Sequence, residues 1–179
     1  MTRIQPIQTQ DANGKAKELL QQVQAKIGMT PNLMKTLAHS VAALEGYLNF
    51  SGALAAGVLG VQLREQIAIA VAQANSCEYC LSAHTAIGKM TGLNQEALDL
   101  SRAAHASDAK RDAALQFAQK LVVQRGQVAD GDVDLLRAAG YSDGEITEIV
   151  AHVGLNIFTN YFNNVARTDV DFPRVGLGL

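Results

Sequence analysis

Two apolar runs decide the fold of this chain: Glu65-Gln66-Ile67-Ala68-Ile69-Ala70-Val71 and, past the break Asn75-Ser76, Cys77-Glu78-Tyr79-Cys80-Leu81-Ser82-Ala83-His84. The first belongs to a segment, roughly Gln62 to Ala74, with Leu63, Ile67, Ala70, Val71 and Ala74 on one helical face. Ser76 has the chemistry of an N-cap, and its position predicts a second helix carrying both cysteines to about Met90. A break this tight lets the two helices pack as an antiparallel pair, at about residues 62–90.

Outward from that pair the pattern remains helical. Leu19, Leu20, Val23 and Ile27 form the stripe of a first helix started near Asp11. Thr30-Pro31 opens a short helix to about His39, and Ser40 caps another running toward Gly57. Segments near Asn94–Ala104 and Ser107–Arg125 follow, then one started by Asp130 and stopped at Gly140. Ser142-Asp143-Gly144-Glu145 has capping-box spacing ahead of a long helix to about Ala166. No period-2 strand, repeat or linker interrupts the series. The expectation is an all-α protein, a single helical domain over residues 1–179, with an irregular tail from Thr168.

Composition agrees and narrows the partners. Hydrophobic residues are 48% and charged residues 18%, the balance of a folded chain rather than a disordered one. A net charge of −2 offers no electrostatic footprint for nucleic acid or an anionic membrane. The start lacks a secretory apolar core, and no apolar stretch approaches the roughly 20 residues that a membrane helix needs. A cytoplasmic protein is expected, and in a reducing compartment two close cysteines read as catalytic or metal-binding rather than structural.

On a helix, Cys77, Cys80 and His84 fall within an arc of roughly 60°. Two thiols and an imidazole then share one environment, which lowers a thiol pKa and supplies a disulfide partner. With Cys77 in the first turn, its sulfur would also meet the positive helix end. His84, one turn beyond Cys80, is placed to take its proton directly or through water. Glu65 comes near the His84 level if the helices are antiparallel, where it would orient the imidazole and stabilise its charge. The alternatives are inert buried thiols, or a zinc site with Cys77, Cys80 and His84 completed by His152 or Glu65. The absence of a second close ligand pair argues against zinc, and no metal or other cofactor is expected. Tyr79 and His152 are candidate pocket residues. Asn156, Asn160 and Asn163 share a face of the last helix that suits contact between subunits.

The stretch Leu63 to Leu93, with its E-x11-C-x2-C-x3-H pattern, resembles the core of AhpD-like alkylhydroperoxidases of the carboxymuconolactone decarboxylase superfamily. Tyr79 between the cysteines resembles a peroxidase-related branch, whereas founding members carry histidine there. The resemblance implies an all-α AhpD-like fold, a homo-oligomer (trimer or hexamer) and reduction of a peroxide substrate. It makes Cys80 the attacking thiol, Cys77 the resolving thiol, and His84 with Glu65 the proton relay. A redox-active Cys77–Cys80 disulfide would then be restored by an external dithiol or protein reductant, since no nucleotide-binding fingerprint is present. Two other functions remain open: a lactone decarboxylase using His84 and Glu65 without thiols, and a non-catalytic redox sensor.

Overall fold

A computed structural model of the chain describes residues 1–178. The described residues form nine helices and no strand, so the all-α expectation holds. In chain order they are α1 (Gly14–Ile27), α2 (Asn32–Leu37), α3 (Val41–Ala55), α4 (Val61–Ala74), α5 (Glu78–Met90), α6 (Gln95–Arg102), α7 (Ala109–Val123), α8 (Asp130–Ala138) and α9 (Asp143–Ala166).

Helix α4 is the centre of the architecture. From Gln66 to Ala72 every residue is buried, so this helix is covered all round rather than along one stripe. Ile69 and Ala72 face an apolar cluster with Leu20, Leu37, Leu44, Leu81 and Leu98. Ile67 and Val71 face a second cluster, with Leu115, Ala118, Leu136, Ile149 and Val153. Helices α1, α2, α3, α5 and α6 supply the first cluster, and α7, α8 and α9 the second. A carboxylate on α4 is therefore held between two packed layers.

The break between α4 and α5 differs from the expected Ser76 cap. The Cys77 N–H donates to Ala72 O at 2.9 Å and the Ser76 N–H to Gln73 O at 3.1 Å, the bond pattern of a Schellman turn. Ser76 occupies its left-handed position, with φ of 51°. The turn consumes Ser76, so Cys77 becomes the N-cap of α5, and its Sγ accepts from the Cys80 N–H at 3.3 Å. Cys80, not Cys77, thereby sits in the first turn, where the helix end favours negative charge. Small shifts of the same kind occur elsewhere. Pro31 rather than Thr30 precedes α2, Asn13 precedes α1, and Ala129 precedes α8, whose Asp132 reaches back to the Ala129 N–H. The Ser142–Glu145 capping box of α9 forms as read, with both reciprocal bonds present.

The tail beyond α9 is irregular, as expected, but it is tied down. Asp171 accepts from the Asn32 N–H at 2.7 Å, and the Val175 N–H donates to the buried Ser82 hydroxyl at 3.0 Å. Arg102 donates to the Gly176 and Gly178 carbonyls, and Arg174 pairs with Glu78. The segment thus straps α5 from outside, with Phe172 edge-on to Tyr79. No helix among the described residues is long and apolar enough to cross a membrane.

Candidate active site

The two sulfurs meet at the start of α5. Cys77 is fully buried and Cys80 is 2% exposed, so neither thiol is a surface group. Both are free, with Cys77 Sγ 2.7 Å from Cys80 Sγ and the Cys77 thiol donating. This polarity separates the pair. Cys77 is driven well above the ordinary thiol range, first because its proton is bonded to Cys80 and then by burial. For Cys80, burial pulls upward. The Cys77 donor, the His84 charge and the side chains of Asn163 and Asn160 outweigh it and bring this thiol down to about 7. Of the two, Cys80 is the thiol that ionises first and Cys77 the one that keeps its proton.

Glu65 crosses from α4 to meet the imidazole. Its Oε2 lies 2.8 Å from His84 Nδ1, so the antiparallel pair does place the carboxylate at the histidine level. Burial disfavours a charged His84, but the Glu65 charge and hydrogen bond raise its pKa on balance, with a further contribution from Cys80. Carboxylate, imidazolium and thiolate then form a line of alternating charge. The pair is more open than the sulfurs, with side chains 25% exposed for His84 and 15% for Glu65. Among the described residues no hydrogen bond joins His84 directly to Cys80, so of the two routes expected from the spacing, direct and through water, the direct contact is not formed. The two are coupled by charge.

This coupling has a measurable consequence. Glu65→Gln removes the charge that sustains the imidazolium, which in turn lowers Cys80. The alkylation rate of Cys80 by iodoacetamide rises with pH as the thiolate forms, centred at about 7. In Glu65→Gln that rise is expected to move upward by about one pH unit, with the rate at pH 7 falling roughly fivefold.

The remaining candidates separate. The Tyr79 hydroxyl accepts from the Leu33 N–H at 3.1 Å, and the ring borders a cavity of about 430 Å³ shared with Ser76, Asn163 and Arg167. His152 is buried on α9, where burial and then Arg64 depress its pKa; its Nε2 has no partner. It borders neither that cavity nor the one of about 390 Å³ between the start of α4 and Tyr141. No group of three or more His, Cys, Asp or Glu among the described residues is arranged to hold a metal ion.

The asparagine face of α9 is a correction. Asn156, Asn160 and Asn163 are buried, not displayed to another subunit. Asn163 Nδ2 donates to Cys80 Sγ at 3.2 Å, and Asn160 Oδ1 accepts from Asn75 Nδ2 at 3.0 Å. A signal for this was present in the chain. Ile146, Ile149, Val153, Asn156, Asn160 and Asn163 continue one 3-4-3-4-3 spacing, so the amides occupy core positions. Tyr47 of α3 was not singled out by any spacing. Its hydroxyl is pushed up to about 12, chiefly by burial, with Cys80 and Glu65 adding their charges. Its ring lies 6.4 Å from Phe158.

Residues 41–120, which span α3, α4, α5 and α6 and most of α7, match the family described as the carboxymuconolactone decarboxylase family. No curated protein matches the chain significantly. Among solved structures, the chain is similar to the alkylhydroperoxidase AhpD core of a peroxidase-related protein from Ralstonia eutropha. The identity is 26% with a TM-score of 0.85, over 95% of this chain and 92% of that one. A peroxidase-related protein from Silicibacter sp. is 25% identical with a TM-score of 0.80, over 93% and 91% of the two chains. The debrominase Bmp8, solved with 2,3,4-tribromopyrrole, is 21% identical with a TM-score of 0.81 over 96% and 92%, a likeness of fold.

Proposed function

We propose that the chain is a thiol-dependent peroxidase, an alkyl hydroperoxide reductase-like enzyme of the AhpD/carboxymuconolactone decarboxylase superfamily, a reading supported by the match over residues 41–120 and the likeness to an AhpD core. The observation that carries this reading is the geometry of the sulfur pair, Cys77 Sγ donating to Cys80 Sγ at 2.7 Å, beside the Glu65–His84 pair at 2.8 Å.

In the first step the Cys80 thiolate attacks the terminal oxygen of a hydroperoxide. An S–O bond forms and the O–O bond breaks; sulfur loses two electrons and the peroxide gains them. The leaving alkoxide takes a proton from the His84 imidazolium, whose charge Glu65 has stabilised, and departs as an alcohol. In the second step Cys77 attacks the Cys80 sulfenic acid, the S–O bond breaks, and water leaves with the Cys77 proton. An external dithiol, small or protein-borne, then reduces the Cys77–Cys80 disulfide by exchange and is itself oxidised. The enzyme needs no bound cofactor for this cycle. A reducing compartment such as the cytoplasm suits a pair whose resting form is the dithiol.

Assembly belongs to the same proposal. Only Leu44 is buried on α3, although the helix is largely apolar, and Val41 and Phe50 stand exposed. Phe158, Tyr161 and Val165 continue an exposed apolar surface on α9. We take this face as the contact between copies in a homo-oligomer, a trimer or hexamer.

The test is peroxide consumption by the purified protein with a dithiol reductant, over hydrogen peroxide and alkyl hydroperoxides. Saturable turnover that disappears in the double variant Cys77→Ser/Cys80→Ser is the expected result. Lactone decarboxylation that survives the double variant would move the function to the thiol-free branch. A peroxide-dependent change of assembly without turnover would make the chain a sensor.

A further inference from the structure

We propose that Asn163 of α9 holds the Cys80 sulfur as a thiolate by its hydrogen bond, and that Asn160 and Asn163 then hold the oxygen the sulfur takes from peroxide. The first half stands on geometry; the second rests on the peroxidase reading above.

The amides are built into place rather than packed by chance. Asn163 donates from Nδ2 to Cys80 Sγ at 3.2 Å, so it touches the reacting atom. Asn160 is fully buried, and Asn75 Nδ2 occupies its Oδ1. That bond fixes which way the Asn160 amide faces and leaves its Nδ2 for the sulfur side. Asn75 is itself held, its carbonyl accepting from Asn164 Nδ2 at 3.0 Å. The amides of α9 thus bind both the end of α4, through Asn160 and Asn164, and Cys80, through Asn163. Asn160, Asn163 and Asn164 lie outside the family-matched residues 41–120.

The unmet bonding capacity points to a missing atom. Asn160 Nδ2 and Asn163 Oδ1 are buried without partners. Buried polar groups are almost always paired, because desolvation without a replacement bond is costly. A donor and an acceptor left open beside one sulfur match the needs of a sulfenic acid, whose oxygen accepts one hydrogen bond and whose O–H donates another. When the S–O bond forms and the O–O bond breaks, Asn160 N–H meets the new oxygen. The proton that completes the S–OH group then lies against Asn163 Oδ1. Attack by Cys77 breaks that S–O bond, and the oxygen leaves as water.

The titratable groups facing Cys80 are Cys77, Tyr79 and His84 of its own segment and Tyr47 from α3, with Glu65 of α4 behind His84. None of these is altered by substitutions on α9, so the amide effect can be read alone. Asn163→Ala opens onto the existing cavity beside Asn163 and does not overfill the core. Asn163→Asp keeps the size but replaces the donor with an acceptor.

The experiment is the pH profile of Cys80 alkylation by iodoacetamide in the full chain, with folding checked by circular dichroism. Asn163→Ala is expected to lower the rate at pH 7 about fivefold and to move the midpoint up by about one pH unit. Asn163→Asp is expected to move it further. In a Cys77→Ser background, Asn160→Ala is expected to shorten the life of the Cys80 sulfenic acid, followed by dimedone capture. Unchanged midpoints in both Asn163 variants would overturn the thiolate role. An unchanged sulfenic lifetime would overturn the oxygen role. The alkylation profile needs no peroxide turnover, so it fails or succeeds independently of the peroxidase reading, which the Cys80→Ser variant decides.

Discussion

Replacing Cys80 with serine is expected to abolish dithiol-dependent peroxide consumption, a fall of about 10³-fold or more. Serine keeps the shape of the side chain but cannot ionise near neutrality, and no other group in the site replaces its nucleophilicity. The environment that lowers Cys80 makes the loss specific. The Cys77 donor, the His84 charge and the α9 amides all stabilise a negative sulfur, and a hydroxyl would use them only as weak hydrogen bonds. The fold should survive, because the Cys80 backbone N–H still donates to the Cys77 cap. Wild-type turnover in Cys80→Ser would reject Cys80 as the attacking residue.

Cys77→Ser is expected to behave differently. The first oxidation should proceed, but multiple turnover should fall by roughly 10²-fold, because no resolving thiol remains to displace water from the sulfenic acid. Cys80 sulfenic acid should accumulate and be captured by dimedone. Serine is among the preferred N-cap residues, so α5 is expected to keep its start. A small upward move of the Cys80 midpoint should accompany the change, since the Cys77 thiol is the first of the groups that lower it. Undiminished steady-state turnover in this variant would mean that the reductant attacks Cys80 directly.

Much of this site was legible in the chain because its two arms are local. Cys77, Cys80 and His84 sit within eight consecutive residues, and helical spacing alone aligns them. Glu65 required one tertiary assumption, an antiparallel hairpin, and the 2.8 Å contact with His84 agrees with it. The polarity of the sulfurs was harder to see. The spacing put Cys77 in the first turn with Ser76 as cap, but the Schellman turn at the end of α4 used Ser76 and moved the cap by one residue. Turn closure depends on a backbone bond back to Ala72, which side-chain patterns do not report.

The amides show the other kind of limit. Their burial was readable from the 3-4-3-4-3 stripe, yet a polar face in a helix with Phe158, Tyr161 and Phe162 read as a contact surface. What lies beneath Asn163 is decided by how α9 crosses α5, a relation between segments 83 positions apart. The same is true of Tyr47, which comes to Cys80 and Glu65 through the packing of α3. The all-α architecture, by contrast, followed from caps and stripes repeated in every segment, so single errors in cap position left it intact.

The most direct measurement is thiolate titration by ultraviolet absorbance in the two single-cysteine variants. With Cys80 as the remaining thiol, ionisation is expected near neutral pH, slightly above the wild-type value of about 7. With Cys77 remaining, the bond to Cys80 is lost but burial still holds the thiol above the ordinary cysteine range, so no thiolate is expected near neutrality. A Cys77 that ionises near neutrality, paired with a Cys80 that does not, would reverse the assignment of nucleophile and resolving thiol and contradict the account.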